Sequence, residues 1–335
     1  MKTLITIVIP VFNQKEAYLR RCIDSVLLQE YSELEIIVSD NHSSNACMTF
    51  LQEYNDSRLR LIKPPCHLPL VQHFAFAGFH ANGELLSFLP SDDWLEPDWL
   101  HKMHSFINHY PEASFAYCDA FKHDLSNNTK TLYRGNDFST KYLKSEEAIK
   151  IFGKFIGKDT SAYMVGALIR REAYFKYGGL HDSGAIYSGD ACMGLGLLKY
   201  GGVAYLSQPL VNYTVWTEKE GKVDDHRDTI ACQDMAKVLS WATNDIKLIE
   251  IARQGNFSFA KARARMSIFY LLVYIRDNIE NKDCDYNSFQ EALYMISNGF
   301  LPKWITSIFK TKIVILTLSM AKRLVGEKVK YLFLG

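Results

Sequence analysis

Two short apolar runs, Leu34–Val38 and Leu85–Leu89, each end on an acidic segment, Ser39-Asp40-Asn41 and Ser91-Asp92-Asp93, about 50 residues apart. Apolar runs of this length bounded by polar residues read as buried strands. Ligands of open α/β sheets collect in the crevice beyond the carboxyl ends of the strands. Adjacent carboxylates there repel one another unless a cation or donors offset them. Mg²⁺ is usually held by one or two carboxylates plus phosphate oxygens. The acidic pair therefore points to a divalent cation carrying a diphosphate.

The surrounding pattern fits such a sheet. Leu4–Ile9 reads as a strand, and Glu16–Gln29 as a helix with Leu19, Cys22, Ile23, Val26 and Leu27 on one face. Strand Leu34–Val38, helix Met48–Tyr54, strand Leu59–Lys63, helix Leu70–Ala81 and strand Leu85–Leu89 follow. Alternation of this kind predicts a mostly parallel sheet covered by helices. Pro97 suits the first position of a helix running to Tyr110. Ser114–Cys118 reads as a strand, Lys122–Leu143 as an irregular loop, and Tyr163–Arg170 as a strand followed by a short helix to Tyr177. Gly178-Gly179 breaks the pattern. Ala191–Tyr200 then reads as a helix, with strands at Val203–Leu206 and Val211–Trp216.

From about Asp228 the pattern turns helical, with Ala260, Ala264, Ile268, Leu271 and Ile275 at helical spacing. The segment Pro302–Gly335 carries seven lysines and arginines against the single acid Glu327, interleaved with Trp304, Ile308, Phe309, Leu316 and Leu324. A basic amphipathic tail suits an anionic membrane surface. The one-sided charge favours the membrane over packing on its own domain, and the tail could also pair subunits into a homo-oligomer. The expected division is 1–220 for the α/β domain, split at 118, and 221–335 for a helical region with this tail.

The 335-residue chain has a formal net charge of +1, which gives no bias toward nucleic acid. Its seven cysteines are scattered without a CxxC pair, as expected of a reducing cytoplasm. The apolar start ends at Pro10, too short for a signal peptide. No run of about 18 apolar residues suggests a spanning helix.

Ile7-Val8-Ile9-Pro10-Val11-Phe12-Asn13 resembles the opening of family 2 glycosyltransferases, inverting enzymes with a GT-A fold. Cys22-Ile23-Asp24-Ser25-Val26 with Gln29 and Tyr31 resembles that family's first helix. Glu35–Asn41 resembles its second strand and acidic turn. Ala81-Asn82-Gly83-Glu84 with Ser91-Asp92-Asp93-Trp94-Leu95 resembles its metal-binding segment. Arg170-Arg171-Glu172, Gly178-Gly179-Leu180 and Gly189-Asp190 resemble its acceptor half. The resemblance covers roughly residues 3–216 and implies a GT-A, α/β fold.

It also implies roles. Pro10, Val11, Phe12, Asn13, Glu16, Asp40, Asn41 and Ser91 would line the nucleotide site. Phe12 would stack on the base, or else be a core aromatic. Asp40 would accept a hydrogen bond from the imide of uracil or thymine, or else close an Asx-turn. Asn41 stands where the family often has a second acid. Asp93 would ligate Mn²⁺ or Mg²⁺, with Asp92 on ribose or sharing the metal. The alternative is a helix cap ahead of Pro97. Asp190 would be the base of a single displacement, or else cap the helix that follows it. Trp94, Gly178, Gly179 and Leu180 would lie on the acceptor side.

Three positions depart from the family: Pro90 and Gly189 replace acids, and Tyr213–Trp216 lacks a histidine. No Gln-x-x-Arg-Trp motif of processive relatives is present. The resemblance thus implies transfer of one sugar at a time from a UDP-sugar, or a dTDP-sugar, to a lipid-linked saccharide in bacterial surface-polysaccharide (O-antigen or capsule) assembly. The enzyme would be cytoplasmic, peripheral on the inner face of the plasma membrane. The rivals are a degenerate domain serving as an assembly partner and a nucleotidylyltransferase. The latter would need a glycine- and arginine-rich loop where Val11-Phe12-Asn13-Gln14-Lys15 stands.

Overall fold

The computed structural model describes residues 3–44, 46–125, 127–133, 139–154, 164–177, 183–185, 188–215 and 227–264. Its centre is β1 (Ile5–Val11), every residue of which is buried. Such a strand must be covered on both faces, and its β-branched residues suit that setting. Ile5, Ile7, Ile9 and Val11 face one apolar cluster with helices α1 (Glu16–Leu27) and α3 (Trp99–His109). Val8 faces a second cluster with α2 (Leu70–Phe79).

Around β1 the sheet runs in the order β3-β2-β1-β4-β9-β6-β10-β5. Here β2 is Leu34–Asp40, β3 Leu59–Ile62, β4 Leu85–Phe88, β5 Trp94–Leu95, β6 Ala113–Asp124, β9 Leu168–Arg170 and β10 Gly202–Val215. Pairs β1–β2, β2–β3, β1–β4 and β6–β10 are parallel. Three-residue β9 lies antiparallel between β4 and β6, so both halves point the same way. The hairpin strand β7 (Thr129–Tyr133) and β8 (Lys141–Leu143) add antiparallel edges to β6 and β10. Helices α4 (Ser145–Lys154), α5 (Arg171–Tyr177) and α6 (Gly189–Leu197) cover the second half.

Beyond β10, α7 (Arg227–Asn244) and α8 (Ile246–Gln254) join the cluster on the Val8 face through Met235, Val238, Leu239, Leu248 and Ile251. The described part of the C-terminal helical region thus shares the core of the α/β domain. Among the described residues no helix is long and apolar enough to cross a membrane.

Several expected elements differ. Met48–Tyr54 is a 3₁₀ segment, Ala46–Glu53. Lys122–Leu143 is not one loop, since it holds the end of β6, all of β7 and β8. The faces of β7 are largely exposed, so no apolar alternation marks it. The strand expected at Tyr163–Arg170 shrinks to Leu168–Arg170, because Gly166 turns the chain at φ +64°. Val203–Leu206 and Val211–Trp216 are one strand, β10, whose register shifts around Pro209. Proline cannot donate to the ladder, and a bulge absorbs it. Ile268, Leu271, Ile275 and the basic tail lie outside the described residues.

Candidate functional site

Parallel pairing brings the exits of β1, β2 and β4 to one edge. Val11 is in register with Asp40, and Val8 with Phe88. Phe12-Asn13, Asp40-Asn41 and Pro90–Asp93 therefore emerge side by side.

Phe12 is 51% exposed, with its ring 4.7 Å from that of His67. It is not a core aromatic, and a flat ligand can reach it. Pro10 and Val11 are buried backbone of β1. Asn13 adopts φ +48°, which asparagine tolerates. Its Oδ1 accepts from Ser44 N at 2.7 Å, and its N–H donates to Ser43 Oγ at 2.9 Å. These bonds fasten the β1 exit to the β2 exit. Glu16 opens α1 and pairs with Arg20 at 2.7 Å on the surface.

Asp40 closes the turn expected of an Asx residue, accepting from Ser43 N at 2.9 Å, while Lys63 Nζ lies 3.3 Å from its other oxygen. Burial alone would raise its pKa, but Ser43 and then Lys63 outweigh that and hold it below the ordinary carboxylate value. Asn41 is 3% exposed. Its Nδ2 donates to Leu68 O at 2.8 Å and its Oδ1 accepts from Leu68 N at 2.9 Å. Both ends of its amide thus clamp the loop that carries His67.

The Pro90–Asp93 turn is held from two sides. From α1, Arg21 donates to Asp92 O at 3.0 Å, and from the segment just before α1 Gln14 Nε2 donates to Ser91 Oγ at 3.1 Å. From β10, Thr214 Oγ1 donates to Asp92 O at 2.8 Å and Thr214 N to Asp93 Oδ1 at 2.7 Å. Asp93 is 1% exposed, and its Oδ2 is buried with no hydrogen-bond partner. Burial, and next the adjacent Asp92, raise its pKa well above the usual range. Asp92 is half-buried. Neither acid caps α3, which begins at Trp99 after Asp98. A hard divalent cation would supply the partner that Asp93 Oδ2 lacks, so the residues present fit one. Among the described residues no three His, Cys, Asp or Glu converge as a metal cage.

Trp94 lies against the Arg21 guanidinium, 3.6 Å from its ring centroid, and against the His123 ring at 4.5 Å. His123 Nε2 meets Asn212 Oδ1 at 2.7 Å, and Asn212 Nδ2 donates to Glu96 at 2.8 Å. Trp94 is thereby built into the support of the acidic turn. Gln29 is also structural, donating to Glu96 O and accepting from Leu100 N. Sequence reasoning missed Arg21, Thr214, Asn212 and His123, because each acts across a contact between distant segments.

Asp190 lies in the first turn of α6, half-buried, with Oδ1 accepting from Ala191 N at 2.8 Å. The capping position belongs to Ser188, so Asp190 is not the cap. Because α6 leads into β10, parallel to β6, crossover topology puts the start of α6 at the carboxyl edge of the sheet. Gly178, Gly179 and Leu180 lie outside the described residues, as do Trp216 and His226. A separate cavity of about 650 Å³ lies at the amino ends of β1 and β4, beside Arg170, Arg171 and Tyr200, remote from the acids.

The family that matches is described as glycosyl transferase family 2, over residues 6–177. Glycosyltransferase GlyA of Streptococcus pneumoniae serotype 4 is 30% identical over 107 residues, 32% of this chain and 15% of that protein. An uncharacterized glycosyltransferase of Haemophilus influenzae is 30% identical over 162 residues, 44% of this chain and 64% of its own length. The chain thus spans less than two thirds of these curated relatives. Among solved structures, S. aureus TarS 1–349 in complex with UDP-GlcNAc superposes with a TM-score of 0.58 at 14% identity, covering 88% of this chain and 81% of that one. Mannosyltransferase PcManGT from Pyrobaculum calidifontis, in complex with GDP-Man and Mn²⁺, gives 0.56 at 15% identity, covering 97% and 81%. At these identities the structural likeness concerns the fold, a GT-A-type α/β sheet.

Proposed function

This chain belongs to glycosyl transferase family 2, and on that footing we propose that it moves one sugar from a UDP- or dTDP-sugar to an acceptor hydroxyl with inversion. The carrying observation is the convergence of an exposed Phe12, Asp40 and the Asp92-Asp93 pair at one sheet edge. Phe12 offers a face to the base, where stacking is worth about 1–3 kcal/mol. Asp40 accepts from the imide, with Lys63 giving way or turning to a carbonyl of the base. Asp92, the more exposed acid, meets the donor, and Asp93 stands behind it with its unpartnered oxygen. Bound there, Mn²⁺ or Mg²⁺ would offset charge on the leaving diphosphate. Asp190 takes the proton of the attacking hydroxyl as that oxygen closes on the anomeric carbon.

A lipid-linked saccharide is the acceptor class that the basic segment 302–335 favours, through attraction to an anionic inner-membrane surface. Calorimetric titration of UDP, with Mn²⁺ and then with EDTA, tests the donor site in wild type, Asp92→Ala and Asp93→Asn. Metal-dependent binding weakened at least tenfold by Asp92→Ala is expected. If UDP, dTDP and GDP all fail to bind, the transferase reading falls. Nucleotide binding with full activity in Asp190→Asn would instead remove Asp190 as the base.

A further inference from the structure

Helix α6 is poorly equipped to hold its own first turn. Its sequence, Gly-Asp-Ala-Cys-Met-Gly-Leu-Gly-Leu, contains three glycines, and Ser188 at the capping position makes no side-chain cap. Each glycine costs a helix roughly 1 kcal/mol relative to alanine. The turn that carries Asp190 must be fixed from elsewhere.

The anchor comes from α7. Asp234 is fully buried, and its Oδ2 accepts the Ser188 N–H at 3.2 Å. Lys237 Nζ lies 3.5 Å from its Oδ1. A buried carboxylate is costly unless donors or charges face it. Here it faces the start of a helix, where backbone N–H groups and the helix dipole favour negative charge. Around it, Met235 and Val238 pack in the same cluster as Ala191, Cys192 and Leu195 of α6. The Asp190 side chain is bonded to Ala191 N within that same turn.

We propose that Asp234 is a positioning residue for Asp190: it fixes the first turn of α6 and thereby the direction in which the Asp190 carboxylate is presented. This rests on the reading of Asp190 as the base. It makes α7, outside the matched residues 6–177, part of the reaction machinery.

The test uses the full chain. The assay is release of nucleotide, with Mn²⁺ and water as acceptor, from whichever of UDP-Glc, UDP-Gal, UDP-GlcNAc or UDP-GalNAc is turned over fastest. Asp234→Ala is expected to lower kcat by 10- to 100-fold while the calorimetric Kd for UDP stays within twofold. Asp234→Asn keeps an acceptor oxygen and should fall only about threefold. Lys237→Met, which removes the ion pair and keeps the acceptor on Ser188 N, should lower kcat no more than Asp234→Asn does. Amide exchange at Ser188–Ala191 should quicken in the order wild type, Asn, Ala. If the alanine variant does not fold, the asparagine variant decides, through kcat and exchange together. Wild-type kcat and exchange in the deciding variant would overturn the proposal, as would a Kd that weakens in step with kcat. If Asp190→Asn turns over like wild type, the base assignment fails first. If Asp190→Asn is silent and Asp234→Ala is unimpaired, only the positioning role fails.

Discussion

Asn41 stands where the family often carries a second acid, so Asn41→Asp looks like a return to type. The structure predicts the opposite. The Asn41 amide meets both backbone groups of Leu68, donating to the carbonyl at 2.8 Å and accepting from the N–H at 2.9 Å. A carboxylate keeps the second bond and cannot make the first. Losing one buried neutral hydrogen bond costs about 1 kcal/mol, and leaving a buried acceptor unpaired costs about 1–3 kcal/mol. A carboxylate oxygen facing that carbonyl adds repulsion, and burial at 3% exposure adds desolvation. The gain from a charged acceptor on Leu68 N is about 1 kcal/mol. The expected net loss is about 2–3 kcal/mol, read from urea unfolding at pH 7. The introduced carboxyl would favour its protonated form, whose O–H restores a donor. Its folded-state pKa therefore lies above the unfolded value of about 4, and the deficit shrinks as pH falls toward that value and grows as pH rises. The same clamp seats His67, which hydrogen-bonds Asn41 O at 3.0 Å and touches the Phe12 ring. UDP affinity should accordingly fall in the folded variant. Wild-type stability at pH 7 together with tighter UDP binding would refute the reasoning and make position 41 a ligand contact.

Burial holds the His73 imidazole down to about 4, against an ordinary 6.5, with its Nε2 2.9 Å from Ser39 Oγ. The unfolded chain takes up that proton first as pH falls, so the contribution is full above 6.5 and lost as pH falls toward 4. At about 1.4 kcal/mol per unit, its upper bound is about 3 kcal/mol. The pH-stability curve of His73→Gln should be flatter than wild type over that window by up to this amount, and identical slopes would sink the claim. Gly166→Ala should destabilise by about 2–4 kcal/mol, because φ is +64° and a Cβ would stand 2.8 Å from Val211 Cγ2. Equal urea midpoints for Gly166→Ala and wild type would show that the turn can relax.

How far the fold could be read depended on what each strand faces. β1, β2 and β4 are buried on both sides and carry near-continuous apolar runs. Their parallel pairing followed from the helices between them. β7 borders solvent and shows no such run. In sequence β10 looks like two strands because Ser207-Gln208-Pro209 interrupts its apolar pattern, yet β6 pairs with both halves around a bulge. Pattern reading registers the interruption and cannot register the partner that bridges it.

The site divides along the same line. Phe12, Asp40, Asp92 and Asp93 are legible because each lies at the end of a strand or a few residues beyond it, and strand ends are what periodicity locates. Whether a residue at such an end faces a ligand or the protein depends on segments far away in sequence. Asn41 is taken by Leu68, and Asp93 Oδ1 by Thr214, 121 residues further on. The two halves of the Asp92-Asp93 motif thus play unequal parts, Asp92 half-buried and Asp93 buried and fastened to β10. The same logic reaches Asp190, whose turn is held by a carboxylate from a helix that sequence alone assigns to another region. In this architecture the candidate ligand groups sit at strand ends and on the short loops that follow them. The groups that hold them come from both halves of the chain, Arg21 and Leu68 from the first and Thr214 and Asp234 from the second.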